Sequence, residues 1–216
     1  MFGVENVDER TWKDLSAKLW KQAEPGYYMA LLQERANIRR MFVDEDVDPA
    51  TRACCIPIGN LDALLSMRCR SEMASWMQPL DPPEVVTVEV LDALIEQFVQ
   101  QRVDDGCVGF KMGTLPEVVR PSVEQVTWAF GRVSRCETSA GPIEPDLHSH
   151  IGHRLLALVG RAQRPVQVHI QHSGDVARLR ALAALYPAVR FVGVCAGNVD
   201  PISLSALGRT VLPGRC

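Results

Sequence analysis

The chain has no apolar run approaching the ~18 residues needed to cross a bilayer, so no membrane-spanning helix is expected. It has no basic excess: 23 Lys and Arg stand against 26 Asp and Glu, a formal net charge of −3. A protein that binds a nucleic-acid duplex would carry a basic stripe, and none is visible, so nucleic acid is not an expected partner. The opening stretch MFGVENVDERTWKD is acidic and amphipathic, unlike a secretory signal. The seven cysteines are odd in number and include no C-x-x-C. That pattern excludes a disulfide framework and a zinc knuckle, and it points to a reducing, cytoplasmic setting. There is no internal repeat and no low-complexity tract.

What is present is an alternation of helical and strand-like stretches. Trp12, Leu15, Leu19 and Trp20 recur at helical spacing, and a second short helix is expected through YYMALLQERA. NIRRMFVDED changes to a strand-like run ending in acids. RACCIPIGN is a second such run, followed by one helix over NLDALLSMRCRSEMASWM with Asn60 as its cap. The proline-rich MQPLDPPEVV and the later ETSAGPIEP are loops. Thr87 caps a helix whose apolar positions are Val90, Leu91, Leu94, Ile95 and Phe98. CVGFKM is a strand, and SVEQ is a capping box that opens a helix to about Arg135. DLHSHIGHRLLALVGRAQR is a helix, PVQVHI a strand, DVARLRALAALYP a helix, VRFVGV a strand, and PISLSALG a short helix.

Strands alternating with helices of this length imply a parallel sheet with helical crossovers. The expected fold is therefore α/β: a partial (β/α) TIM-barrel-like sheet of five to six strands with surrounding helices, in a single domain over 1–216. A closed eight-stranded barrel usually needs about 250 residues, so the barrel is expected to be incomplete at both ends.

All five histidines lie between residues 148 and 172. Strand parity separates them. In PVQVHIQ, Val166, Val168 and Ile170 share one face and Gln167, His169 and Gln171 the other. The apolar face belongs under the helices, which turns His169 inward near the carboxyl end of its strand, where α/β enzymes place their sites. The same rule turns Cys107, Gly109 and Lys111 inward from CVGFKM, and Phe191, Gly193 and Cys195 inward from RFVGVC. Lys111, His169 and Cys195 are thus expected at one mouth, with Gly109 and Gly193 leaving room for a ligand or long side chains. Lysine is almost never fully buried without a partner. A purely structural role for Lys111 would be an ion pair to Asp44 or Glu45. His148 and His150, an H-x-H, begin an amphipathic helix with core positions Leu147, Ile151, Leu155 and Leu158. Positions i and i+2 of a helix diverge by about 200°, so this pair cannot grip one ion. His150 and His153, at i and i+3, are expected on a solvated face, where they could share a surface ion, and His172 in a loop that touches substrate or solvent.

GCVGFKMG, followed by RPVQVHIQHSGDVARLRALAALYPAVRFVGVCAGN, resembles the amidohydrolase superfamily, in particular its uronate-isomerase-like, metal-dependent TIM-barrel hydrolases. The likeness lies in a proline-led strand ending in a histidine, a Gly-Asp turn, a helix ending in Tyr-Pro, and a following strand. The resemblance implies that His169 is the fifth-strand metal ligand, that Cys195 stands where a second histidine belongs, and that Lys111 matches a position which in some members is a carboxylated, bridging lysine. It implies a divalent metal, zinc above all, that polarises a carbonyl and acidifies its bound water. The first-strand H-x-H and the last-strand aspartate of that pattern have no counterpart in this sequence, so the resemblance implies a partial metal site.

The resulting expectation is a hydrolase acting on a small carbonyl, amide or carboxylate substrate. Lys111 and Asp44 are its catalytic candidates, His169 and Cys195 its metal ligands, and Gln171, His172 and Asn198 its substrate contacts. Two alternatives stand beside it. One is a metal-free lyase using Lys111 as a Schiff-base nucleophile. The other is a non-catalytic, truncated or degenerate barrel, which a homo-oligomeric partner could complete.

Overall fold

Five short apolar runs, the last four separated by helices, can pair side by side only as a parallel sheet. A computed structural model describes residues 7–22, 27–44, 54–77, 87–136, 143–194 and 199. Its strands are β1 (Met41–Val43), β2 (Cys55–Asn60), β3 (Gly109–Met112), β4 (Pro165–His169) and β5 (Arg190–Val194). They form one five-stranded, all-parallel sheet in the order β1-β2-β3-β4-β5, the arrangement expected of part of an α/β barrel.

The helices are α1 (Trp12–Gln22), α2 (Tyr27–Ala30), α3 (Asp62–Leu65), α4 (Arg70–Met77), α5 (Val88–Asp104), α6 (Val123–Arg135), α7 (Pro145–Arg161) and α8 (Ser173–Leu185). A π-helical turn, Leu31–Arg35, continues α2. Two starts follow directly from the sequence. The Thr87 hydroxyl accepts the Val90 N–H at 3.3 Å to cap α5. Ser122 and Gln125 form the reciprocal capping box of α6, with contacts of 2.8 and 3.2 Å. The single helix expected after Asn60 is in fact two, α3 and α4. The chain breaks between them so that Met67 and Cys69 are buried, while the Arg70 N–H turns to the Cys136 carbonyl. Asn60 does hold the start, its side-chain oxygen accepting the Asp62 N–H at 2.9 Å.

The chain separates into two compact units, residues 1–42 with 47–56 and residues 43–46 with 57–216. The first carries α1, α2 and the π-helical turn. The second carries α3 to α8 and β3 to β5, with a core built from Leu61, Leu91, Ile95, Phe110, Leu147, Ile151, Leu155, Val166 and Val168, each at most 1% exposed. Full burial of such side chains stabilises by about 1.5–3 kcal/mol apiece. All four apolar positions anticipated for α7 are buried. The final short helix expected over PISLSALG and most of both proline-containing loops lie outside the described residues. No helix among the described residues is long and apolar enough to cross a membrane.

Candidate functional site

Register decides which side chains share a face of the sheet. Lys111 lies level with Asn60 on β2 and Gln167 on β4, and Phe110 lies level with Gly59 and Val166. Neighbours at one level point the same way. Phe110, Met112, Val166 and Val168 therefore form the face under the helices, where all four are fully buried. Lys111, Gln167 and His169 occupy the opposite face, as parity in β3 and β4 requires. His169 stands two residues further along its strand than the partner of Lys111, so their Cα atoms are roughly 8 Å apart by strand geometry.

β5 departs from expectation. Phe191 is level with Val166 and Gly193 with Val168, while Val192 and Val194 are level with Gln167 and His169. The two valines thus lie on the face of Lys111, and residues 191 and 193 lie toward the helices. The room anticipated beside two glycines is also taken. A Cβ on Gly109 would sit 3.1 Å from both the ring and the carbonyl oxygen of Pro165, and one on Gly193 would sit 2.6 Å from Ile170 Cδ1. These glycines serve close packing and open no cavity.

Three groups lie at the carboxyl ends of their strands. Asp44 is the first residue after β1, Lys111 is next to last in β3, and His169 ends β4. The Lys111 ammonium donates to Asp44 Oδ2 at 2.5 Å, with the lysine 22% and the aspartate 43% exposed. That hydrogen bond and the lysine charge hold the Asp44 carboxyl below the usual carboxylate range, with a smaller contribution from His169. Asp44 is therefore ionised at neutral pH, and its charge favours the ammonium form of Lys111. His169 presents an Nε2 that is buried and has no hydrogen-bond partner among the described residues. An unsatisfied imidazole nitrogen at a strand's carboxyl end is uncommon in a purely structural residue.

The remaining candidates fall differently. The backbone N–H groups of Gln171 and His172 donate to Asp175 Oδ2 at 3.0 and 2.9 Å, which fixes the start of α8 and leaves both residues exposed. Cys195 and Asn198, like Glu45 and Asp46, lie outside the described residues. Sequence reasoning used Asn60 only as a helix cap. Its level in the sheet places it on the face of Lys111, and the signal was its position as the last residue of a strand.

The H-x-H is dismantled as expected. His148 Nδ1 meets the Leu65 carbonyl at 2.9 Å, and His150 Nε2 meets Asp92 at 2.8 Å. His153 is not on a solvated face. It is 5% exposed, with Nδ1 at 2.7 Å from the Tyr186 hydroxyl, and Arg120 donates to the same hydroxyl at 2.9 Å. Burial, then the Arg120 charge, lowers the His153 pKa.

A catalytic zinc takes three protein ligands and an open position. Among the described residues no three His, Cys, Asp or Glu side chains come together, and Lys111 is paired with Asp44. Neither a family model nor a curated protein matches this chain.

Proposed function

We propose that the carboxyl end of the sheet binds a small carboxylate- or carbonyl-bearing molecule and hydrolyses it, in keeping with the amidohydrolase resemblance of the sequence. The observation that carries this reading is the Lys111–Asp44 ion pair beside an imidazole whose Nε2 has no partner among the described residues. In this scheme the Lys111 ammonium attracts the substrate's oxygen, and Asp44 holds that ammonium charged and oriented. His169 takes a proton from the attacking water as the tetrahedral oxyanion forms against Lys111, then returns it to the leaving nitrogen or oxygen. No step is routed through a metal.

The ion pair weighs against the Schiff-base alternative. A nucleophilic lysine must be neutral, and an adjacent carboxylate favours the charged form. Borohydride trapping with small aldehydes and ketones is accordingly expected to leave Lys111 unmodified.

The test is hydrolysis of a panel of N-acyl amino acids, lactones and activated esters by the native chain and two variants. The native chain is expected to turn over at least one class. His169→Asn and Lys111→Met are each expected to lower kcat by about a hundredfold or more with an unchanged melting temperature. Equal rates in all three proteins, or no turnover of any class by the native chain, would overturn the reading.

A further inference from the structure

Three sulfur atoms come together in the smaller unit. The Cys54 thiol donates to Met29 Sδ at 3.1 Å, and Cys54 Sγ lies 3.5 Å from Cys55 Sγ. Adjacent residues in a regular strand point to opposite faces. The two thiols converge because Cys54 sits in the turn ahead of β2 and only Cys55 belongs to the strand. We propose that Met29, Cys54 and Cys55 form a binding site for one Cu(I) ion.

The chemistry of the donors selects the ion. Two thiolates and a thioether are all soft, and a thioether adds little to the binding of a hard or borderline cation, whereas Cu(I) takes such sets. A metal–sulfur bond of about 2.3 Å in a trigonal site puts the sulfurs roughly 4 Å apart. The observed contacts need to open by less than about 1 Å, within the freedom of a methionine side chain. Cys54 is 2% exposed while Met29 and Cys55 are half-buried, so the ion would enter beside Cys55.

The binding step balances simply. Two S–H bonds break, both protons pass to solvent, and copper remains in the +1 state with no electron transferred. Each thiol must lose its proton to bind the ion. Affinity should therefore rise with pH. The bland alternative is a pair of inert thiols packed as small apolar groups. It accounts for the burial of Cys54 but not for the contact chain from Met29 through Cys54 to Cys55.

The experiment is an anaerobic titration of the reduced full-length chain with Cu(I) in competition with bicinchoninate. One equivalent should bind, with a thiolate-to-copper absorption band and release of two protons. Cys54→Ser and Cys55→Ser should each weaken binding about a hundredfold, and Met29→Leu about tenfold. The Met29→Leu change keeps side-chain volume, so it reads ligation in a chain that still folds. His169→Ala should bind as the native chain does, which separates this site from the proposed hydrolytic one. No uptake by the native chain, native affinity in the Cys54→Ser/Cys55→Ser double variant, or native affinity in Met29→Leu would overturn the proposal.

Discussion

Lys111 and Asp44, 67 residues apart in sequence, are joined by a hydrogen-bonded ion pair at the carboxyl end of a parallel sheet. The pair brings the first strand's exit into register with the third strand's end, on the face that also carries His169. A partly exposed pair of this kind contributes little to stability, of the order of 0–1 kcal/mol. Its contribution to holding the fold is therefore small.

Asp44→Asn separates those two roles. With Asp44 43% exposed, the variant should melt within a few degrees of the native chain. Its hydrolytic rate should nonetheless fall by about a hundredfold, because Lys111 loses the group that orients it. The acid limb of stability should change as well. A carboxyl whose folded pKa is depressed adds stability above its unfolded pKa of about 3.9 and loses it as pH falls through the folded value. Asp44→Asn should lack that component, and thermal melts between neutral pH and pH 3 measure it.

His153 gives the opposite limb. Its folded pKa is lowered by burial and by Arg120, so the folded state keeps it neutral where the unfolded chain takes up a proton. Stability from this group is complete above the unfolded pKa of about 6.5. It is lost on acidification below that value, by at most about 1.4 kcal/mol per pH unit, until the folded pKa is reached. Urea midpoints measured from pH 7.5 to 5 should fall in the native chain. They should flatten in His153→Gln, which keeps a hydrogen-bonding side chain that does not titrate in this range.

Two helical glycines should respond in opposite directions to alanine. On Gly152 a Cβ would sit 2.7 Å from the Cβ of Pro116, whereas on Gly174 it would meet nothing within 4 Å. Gly152→Ala should destabilise by about 1–3 kcal/mol through overpacking. Gly174→Ala, in the first turn of α8, should stabilise by up to about 0.5–1 kcal/mol by restricting the unfolded chain. Chemical denaturation of the two variants checks both signs.

The strands and long helices were legible because their periodicities agree with their burial. β4 alternates, with Val166 and Val168 buried and Gln167 and His169 only partly so. β5 was misassigned for a physical reason: RFVGV is apolar on both faces, so parity carries no contrast. Only pairing shows that Phe191 takes the helix side. His153 was missed because α7 is buried around more than its leucine stripe, with Gly152 and Gly160 admitting close neighbours on a second side. Its partner Tyr186 lies 33 residues on, beyond the reach of any local pattern. The Lys111–Asp44 pair was visible as a structural alternative, since a lysine at that position calls for a partner. The Met29–Cys54–Cys55 cluster was not, because it joins a helix to a turn 25 residues later.

The most direct test of the hydrolytic site is the imidazole NMR signal of His169 during titration with small carboxylates at neutral pH. A saturable shift in the native chain, absent in Lys111→Met, is the predicted result, since the lysine draws the ligand onto the histidine. A His169 ring signal that stays fixed with every carboxylate, or shifts equally with and without Lys111, would contradict the shared site.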